Sequence, residues 1–242
     1  MNQPKNTSNP IQLLTLSFDL PLQRKELPNW RGAFNEMAKS ANNDIFHNHS
    51  NTVAAAKNKK SHPVSGGYHY RHPLIQYRVH YKKAAVLAIN QGIDAMHEVL
   101  ANHEWQLRWR NAPRTLRVED VKITTDTFRL LPSPATYRIR RWVALNQSNY
   151  EKWQQCQNLI QRAALLERVL AAQLLALFTA FDWRVPARLE VQLQNIHSEF
   201  PISAHKTSML SFDVSFTANV HIPIGLAIGR SISLGYGEVW KR

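Results

Sequence analysis

The sequence predicts an α+β protein made of two ferredoxin-like domains in tandem, each a split βαβ unit with an antiparallel sheet and helices on one face. Three observations support this prediction. Some segments alternate apolar and polar residues, as half-buried strands do, and others repeat apolar residues every three or four positions, as helices do. Each half of the chain orders these segments as strand, helix, strand, strand. No internal sequence repeat is visible, so element order alone places the domains at residues 1–133 and 134–242.

The first half opens with a strand over 14–20, in which four apolar residues alternate with polar ones: Leu14, Leu16, Phe18 and Leu20. A helix is predicted over 29–40. The segment 42–67 is rich in Asn, Ser, His and Lys and ends in two glycines, so it is predicted as a loop. The remaining elements are strands at 68–80 and 82–90, a helix at 93–103 and a basic strand-like segment at 105–142. Pro132 and Pro134 are expected to interrupt that last segment.

The second half is predicted to contain a strand at 137–145, one long helix over 149–181, and strands at 188–196 and 211–222. The long helix carries an apolar stripe at a spacing of three and four residues. Residues 163–181 form the most membrane-like stretch of the chain. Glu167 and Arg168 lie inside it, and the apolar run after them is too short to span a bilayer, so we expect a buried helix there.

Composition and charge restrict what the protein can bind. Of the 242 residues 44% are hydrophobic, which is enough for a packed core and excludes a wholly disordered protein. There are 30 Lys and Arg residues against 17 Asp and Glu, a net charge of +13, so we expect a polyanionic partner such as nucleic acid. The single cysteine, Cys156, excludes a disulfide framework and any CxxC motif. With a polar N-terminus unlike a signal peptide, this favours a cytoplasmic protein.

Four of the eight glycines lie close together near the C-terminus: Gly225, Gly229, Gly235 and Gly237. Glycine permits positive φ and close approach of the backbone, so successive N–H groups in such a loop could face a phosphate, with Arg230 adding charge. A hairpin turn with bulges is an equal alternative. The loop lacks the Gly-Lys-Ser/Thr of a P-loop and the GxGxxG of a dinucleotide site.

A second motif, Phe46-His47-Asn48-His49, lies in the predicted loop 42–67. The residues alone leave three interpretations of its histidines open. A metal site would need a third ligand, and only Asp44 offers a carboxylate nearby. Surface histidines in a polar loop need no function. Acid–base catalysis is the third, because a neutral imidazole and an imidazolium coexist at roughly pH 6–7 and could serve as base and acid.

Together these motifs resemble a known family. The pairing of Phe46-His47-Asn48-His49 with Pro73-Leu74-Ile75-Gln76-Tyr77-Arg78 is similar to the N-terminal domain of the b subtype of the Cas-six family, the CRISPR RNA processing endoribonucleases of the RAMP superfamily, whose domains are RRM-like. The tail resembles the family's glycine-rich loop, Gly-apolar-Gly, five residues, Gly-apolar-Gly, at residues 227–237. The chain departs from the pattern at Ala227, where a glycine is expected, and at His72, where an aromatic residue usually precedes the proline.

The resemblance implies RNA cleavage without a metal or any other cofactor. In this reaction the 2′-hydroxyl attacks the adjacent phosphate and leaves a 2′,3′-cyclic phosphate and a free 5′-hydroxyl. The family places its histidines just after the first helix, so His47 and His49 are candidate catalytic residues, with base and acid unassigned. Tyr70 is a weaker candidate that could position the 2′-hydroxyl. Four cations are candidates for stabilising the phosphorane: Lys57, Lys59, Lys60 and Arg71.

RNA binding needs phosphate contacts for affinity and base contacts for register. Two basic strands supply the predicted backbone-binding residues Arg108, Arg110, Arg138 and Arg140. The last two fall on one face of a strand, which suits a row of phosphates. The glycine-rich loop completes the predicted site with Gly229, Arg230, Gly235 and Gly237. Three tryptophans interleaved with the arginines could stack bases or could be core residues: Trp105, Trp109 and Trp142.

An alternative function is a non-catalytic RNA-binding RAMP subunit of a CRISPR interference complex, because fold alone does not decide activity. It predicts salt-dependent binding of CRISPR RNA without strand scission. A metal-dependent nuclease is a third hypothesis, which a chelator would test. The expected partner is CRISPR repeat RNA, both precursor and mature. Subunits of an interference complex and a second copy of the chain are further candidates, and no membrane partner is expected.

Overall fold

The computed structural model describes residues 8–38, 45–46, 72–102, 105–204 and 207–241. Contacts between residues divide the chain into two compact units. The first unit comprises Leu14–Lys122, and the second comprises Met1–Leu13 together with Ile123–Arg242. Both units combine helices with antiparallel strands, which confirms the predicted α+β class. The predicted division between residues 133 and 134 stays a prediction.

The described residues form these strands: β1 Ser8–Pro21, β2 Ile75–His80, β3 Lys83–Ile89, β4 Gln106–Trp109, β5 Ala112–Thr115, β6 Val118–Trp142, β7 Val191–Ala204, β8 Thr207–His221 and β9 Glu238–Lys241. The helices are α1 Leu27–Ala38, α2 Gln91–Asn102, α3 Gln147–Gln155 and α4 Leu159–Ala180. One 3-10 turn, Arg24–Glu26, joins β1 to α1, and another, Ile232–Leu234, lies between β8 and β9. Strands β1 and β6 each contribute residues to both units.

In the first unit, β2, β3 and β1 are neighbours in one sheet. Strands β2 and β3 pair antiparallel and end with His80 opposite Lys83. Strands β4 and β5 form a separate two-stranded sheet that ends with Trp109 opposite Ala112. Each hairpin therefore closes through a turn of two residues.

The core of the first unit is aromatic because α1 places Trp30 and Phe34, four residues apart, on one buried face. Their ring centroids lie 5.4 and 5.8 Å from the ring of Phe18 on β1. The indole Nε1 of Trp30 donates a hydrogen bond to the carbonyl of Ala85 on β3 at 3.1 Å. These contacts fix α1, which ends just before the histidine motif, against the sheet.

In the second unit, β6, β8 and β7 are neighbours, and β9 also pairs with β6. Tyr137 of β6 lies opposite Phe216 of β8, and Arg138 lies opposite Trp240 of β9. The alternation predicted for β8 is confirmed, because every second side chain is fully buried: Phe212, Val214, Phe216, Ala218 and Val220. This row forms the sheet side of the core.

Helix α4 supplies the other side of that core. By length and composition it could cross a membrane, with a mean hydropathy of 1.6. Seven of its residues are nevertheless buried inside the protein, as in a core helix: Leu165, Leu166, Val169, Leu170, Leu174, Leu177 and Phe178. Gln173 accepts a hydrogen bond from Trp142 Nε1 at 2.8 Å and donates one to the Ala144 carbonyl at 2.8 Å. The helix is therefore joined to the end of β6 by polar as well as apolar contacts.

The prediction of one helix over 149–181 was wrong, since the structure has two helices, α3 and α4. Cys156 is extended, with φ −66° and ψ 120°, and ends α3. Asn158 caps α4 by accepting a hydrogen bond from the Gln161 N–H at 3.0 Å, and Gln161 Oε1 accepts one from the Gln157 N–H at 2.8 Å. These two hydrogen bonds satisfy N–H groups at the start of a new helix. The apolar spacing continues across the break and hides it.

The expected interruption of β6 at Pro132 and Pro134 was also wrong. The strand is continuous, but its pairing with β8 shifts register between Leu130 and Ala135. Because proline has no N–H to donate to a neighbouring strand, a bulge accommodates both prolines without ending the strand.

Candidate functional site

The predicted catalytic residues His47, His49 and Tyr70 lie outside the described residues, as do four predicted cations: Lys57, Lys59, Lys60 and Arg71. Their assignment stays a prediction. The structure does describe Phe46 and His72, which lie directly before and directly after residues 47–71.

Phe46, the first residue of the histidine motif, is a core residue of the first unit. It is 4% exposed. Its ring centroid lies 6.2 Å from that of Phe34 on α1, which in turn makes an edge contact with Tyr77 on β2 at 5.9 Å. Burial of Phe46 therefore fixes the chain immediately before His47.

Directly after residues 47–71, the side chains of His72, Gln76 and Arg78 form a polar network. The Gln76 amide nitrogen donates to the Pro73 carbonyl at 3.3 Å and lies 3.1 Å from His72 Nε2. Arg78 Nη2 donates to Gln76 Oε1 at 2.8 Å. Since the amide nitrogen can only donate, His72 Nε2 acts as an acceptor and the imidazole is neutral. Desolvation of the ring, with a smaller effect of the Arg78 guanidinium, lowers the pKa of His72 to about 3.

The lowered pKa of His72 predicts that the fold loses stability in acid. The folded state keeps its imidazole neutral down to pH values of about 3, whereas the unfolded chain protonates it near its ordinary pKa of 6.5. Its contribution to stability is complete above that ordinary pKa and is lost as the pH falls towards the folded pKa. We expect His72→Gln to remove this part of the loss, a difference of about 2 kcal/mol between pH 7 and pH 4.5 in urea unfolding. The exposed His97→Gln is the control, and an equal pH dependence in both variants would contradict the assignment.

A second candidate surface lies on β6 in the second unit. Arg138 and Arg140 alternate with the buried Tyr137 and Ile139, so the two arginines share a face as predicted. The guanidinium of Arg140 lies 5.3 Å from the ring centroid of Trp240, which is 38% exposed. An exposed arginine stacked on an exposed indole offers both a cation and an aromatic face to a nucleic acid.

Arg141 adds to this surface through a bulge in β6. Its φ is +53°, and its N–H donates to Asp213 Oδ1 at 2.7 Å. Its guanidinium lies between two aromatic rings, 5.4 Å from Phe200 and 5.1 Å from Tyr236. The Asp213 carboxylate also lies 3.8 Å from the Arg138 guanidinium, so it offsets part of the charge of Arg138. Sequence reasoning missed the roles of Phe200, Tyr236 and Trp240, because they come from three separate segments.

The glycine-rich segment packs against this end of β6. The Gly237 N–H donates to the carbonyls of Arg140 and Arg141 at 3.2 and 3.1 Å, and its carbonyl accepts from the Ile228 N–H at 2.8 Å. Gly237 has a φ of +75°, and a Cβ there would lie 1.9 Å from the Ile228 carbonyl oxygen. Glycine is therefore required at this position.

Several N–H groups of this segment are engaged inside the protein. The Arg230 N–H donates to the Val143 carbonyl at 3.0 Å, and the Gly235 N–H donates to the Ile232 carbonyl at 3.1 Å. The first bond joins the segment to the residue after β6, and the second closes a 3-10 turn, Ile232–Leu234. The exposed Arg230 side chain is the contact that we expect to reach RNA. Binding by Gly229, Arg230, Gly235 and Gly237 stays a prediction. Alanine is tolerated at position 227, where the family pattern has glycine, because Ala227 forms an antiparallel bridge with Glu238 and has no positive φ.

The structure places the remaining predicted residues in the first unit. Arg108 is exposed on β4. Arg110 lies in the β4–β5 turn, forms an ion pair with Glu26 and is 68% exposed. Of the two alternatives left open for the tryptophans, the core alternative holds for Trp109 and Trp142, which are buried at 8% and 0% exposure. Trp105 packs partly buried against the same core as Phe18.

We expect the Arg140 guanidinium to contact an RNA phosphate, so its removal should change how RNA binding depends on salt. Each phosphate contact contributes about 0.7–0.9 to the slope of log K against log [salt]. We expect Arg140→Ala to reduce the slope by about that amount, measured by fluorescence anisotropy with labelled repeat RNA. Arg168→Ala, which removes an equal charge from the exposed face of α4, should leave the slope unchanged. Equal effects of both variants would contradict a local contact at Arg140.

Among the described residues, no group of three His, Cys, Asp or Glu side chains could hold a metal ion. His47 and His49 lie outside the described residues, so a chelator experiment is needed to test the metal-dependent alternative.

Comparison with known proteins identifies the family. The model of the Cas6b N-terminal domain matches residues 9–127, and that of the Cas6b C-terminal domain matches residues 130–242. The chain belongs to the Cas6b family. A 119-residue stretch, 49% of this chain, is 28% identical to 80% of an uncharacterised protein of Methanocaldococcus jannaschii.

Solved structures agree with this Cas6b fold. A crystal structure of Cas6b is similar with a TM-score of 0.78 at 24% identity, covering 97% of this chain and 100% of that one. A CRISPR RNA processing endoribonuclease Cas6b gives a TM-score of 0.68 at 21% identity, with 97% and 100% coverage. The type IV Cas6 crRNA endonuclease Csf5 gives 0.58 at 13% identity, again covering 97% and 100%. At these identities the likeness supports the fold.

Proposed function

We propose that the protein is a metal-independent endoribonuclease that cleaves CRISPR repeat RNA in the precursor transcript and leaves a 2′,3′-cyclic phosphate. The observation that carries this proposal is the match of both Cas6b domain models in tandem over residues 9–127 and 130–242. The net charge of +13 suits an RNA substrate. A cytoplasmic location and mature CRISPR RNA as a bound product belong to the same proposal.

The chemistry needs three contributions from the protein. One of His47 and His49 removes the 2′-hydroxyl proton, and the other protonates the departing 5′-oxygen. Cations stabilise the extra charge of the phosphorane, for which Lys57, Lys59, Lys60 and Arg71 are the candidates. Tyr70 is a further candidate for positioning the 2′-hydroxyl.

The position of the motif supports this assignment. Phe46 is buried next to α1, so His47 follows a fixed point of the core. On the other side of the segment, His72 accepts a hydrogen bond from Gln76, and its pKa of about 3 keeps it neutral near pH 7. A neutral imidazole is a poor proton donor, so this supports assigning the general acid to the histidines of the motif instead of to His72.

The test is incubation of the protein with end-labelled cognate repeat RNA in the presence and in the absence of EDTA. We expect one cut within the repeat at the same rate in both conditions. Binding without scission would instead identify a non-catalytic RAMP subunit, and loss of cleavage in EDTA would identify a metal-dependent nuclease. The same samples analysed by size-exclusion chromatography test a second copy of the chain as a partner.

A further inference from the structure

An open pocket of about 570 Å³ lies in the first unit, at the end of β1. Its floor is apolar and is formed by Pro21, Leu22 and Val79. Its rim is cationic and includes Arg24, Lys82 and Arg110, with Glu26 as the acidic residue. The volume falls within the range of about 300–1,000 Å³ that is typical of small-molecule sites. The pocket keeps a net positive charge, because three cations face one carboxylate.

Two tight turns each contribute one residue to the lining, Lys82 and Arg110, and Tyr81 and Asn111 are their neighbours in the chain. The β2–β3 turn consists of Tyr81 and Lys82, with φ values of +45° and +61°. The β4–β5 turn consists of Arg110 and Asn111, with φ values of +49° and +66°. Such two-residue turns favour glycine or asparagine, because other side chains are strained at positive φ. The chain instead carries Tyr, Lys and Arg at three of the four positions, and strain of this kind is characteristic of binding sites.

The turns are held in place by specific contacts. The Leu22 N–H donates to the Lys82 carbonyl at 2.8 Å, which joins the first turn to the floor of the pocket. Arg110 forms an ion pair with Glu26 through one amino group, and Glu26 Oε2 accepts from the Gln23 N–H at 2.9 Å. A guanidinium has five N–H donors, so an arginine held at one end can still bind a phosphate.

Tyr81 is the most exposed of the large hydrophobic side chains that the structure describes, at 86%. Its ring makes an edge contact with that of His80, with the centroids 4.3 Å apart. An exposed aromatic ring on a rigid turn, next to cations, is the arrangement on which unpaired bases stack.

We propose that this pocket binds one unpaired nucleotide of the RNA, with its base against Tyr81 and the apolar floor and its phosphate on Lys82 and Arg110. The proposal rests on the proposed function in that RNA is the ligand. An exposed aromatic ring beside cations favours a nucleotide, because its base stacks on the ring while its phosphate binds the cations.

The test measures RNA affinity and thermal stability together in Tyr81→Asn. Asparagine tolerates a left-handed conformation, so this variant should melt at the same or a higher temperature than the wild type. Loss of the stacking ring should nevertheless weaken binding of labelled repeat RNA about fivefold or more. If Tyr81 had only a structural role, Tyr81→Asn would not lose RNA affinity while keeping its melting temperature.

Two variants serve as controls, and both should bind RNA as the wild type does. Asn111→Gly relaxes the second turn without removing a side chain that lines the pocket. Tyr150→Ala removes an exposed tyrosine from α3. Ultraviolet cross-linking of the wild type to the RNA, followed by mass spectrometry, should give an adduct on the peptide that contains Tyr81.

The outcomes separate this proposal from the proposed function. If the wild type binds and cuts repeat RNA but Tyr81→Asn has unchanged affinity, the pocket proposal falls and the nuclease proposal stands. If Tyr81 gives no RNA adduct, and labelled polyglutamate binds the wild type but not Tyr81→Asn, the pocket takes an acidic peptide instead. If the wild type binds no RNA, both proposals fall.

Discussion

His47→Ala and His49→Ala are each expected to lower the rate of RNA cleavage by about 10²–10⁴-fold while leaving RNA affinity nearly unchanged. This is the usual cost of losing a general acid or base. Single-turnover cleavage of labelled repeat RNA measures the rate, and a binding titration on the same RNA measures the affinity. With both histidines present, the rate should show a bell-shaped dependence on pH, and each single variant should lose one limb of it.

The exposed His97 on α2 provides the control, because His97→Ala removes one imidazole from another element. Its cleavage rate should equal that of the wild type. Unchanged rates in the His47 and His49 variants would refute their assignment as acid and base. A loss of affinity as large as the loss of rate would place these histidines in binding instead.

The second large effect is expected from Gly237→Ala. The added Cβ would lie 1.9 Å from the Ile228 carbonyl oxygen, a backbone atom, at a φ of +75° that side chains rarely adopt. The loop must move, and the hydrogen bonds of Gly237 to Arg140, Arg141 and Ile228 are lost with it. We expect a destabilisation of about 3 kcal/mol or more, which corresponds to a fall in Tm of about 6–12 °C.

Gly32→Ala is the opposite control. Gly32 lies in α1, and a Cβ there would have nothing within 4 Å. Because alanine restricts the unfolded chain and favours the helix, this variant should be more stable by about 0.5–1 kcal/mol. Thermal unfolding followed by circular dichroism measures both variants. A Gly237→Ala protein as stable as the wild type would contradict the close approach of Ile228.

Local patterns predicted most elements of the fold because burial on one face leaves a period in the sequence. The strand β8 shows this directly, since Phe212, Val214 and Phe216 are fully buried as their alternation indicated. The break between α3 and α4 was missed because apolar spacing continues across it, although Asn158 followed by Gln161 is a signature of a helix start. The interruption of β6 expected at Pro132 and Pro134 was wrong because a bulge accommodates both prolines within the strand.

The candidate sites were less predictable because long-range contacts build them. The turns at Tyr81–Lys82 and Arg110–Asn111 contain no glycine, so the usual hairpin signal is missing. The rings that flank Arg141 come from β7 and from the glycine-rich segment, and only the fold brings Phe200 and Tyr236 to it. For tryptophan, local pattern cannot separate a core residue from a stacking surface, as Trp142 and Trp240 show.

The most direct test of the catalytic proposal uses a cognate repeat RNA with a single 2′-deoxy substitution at the cut site, incubated in EDTA beside the unmodified RNA. The unmodified RNA should be cut to a 2′,3′-cyclic phosphate and a 5′-hydroxyl, while the deoxy RNA should be bound but stay intact. Cleavage of the deoxy RNA, or product ends with a 3′-hydroxyl and a 5′-phosphate, would contradict attack by the 2′-hydroxyl.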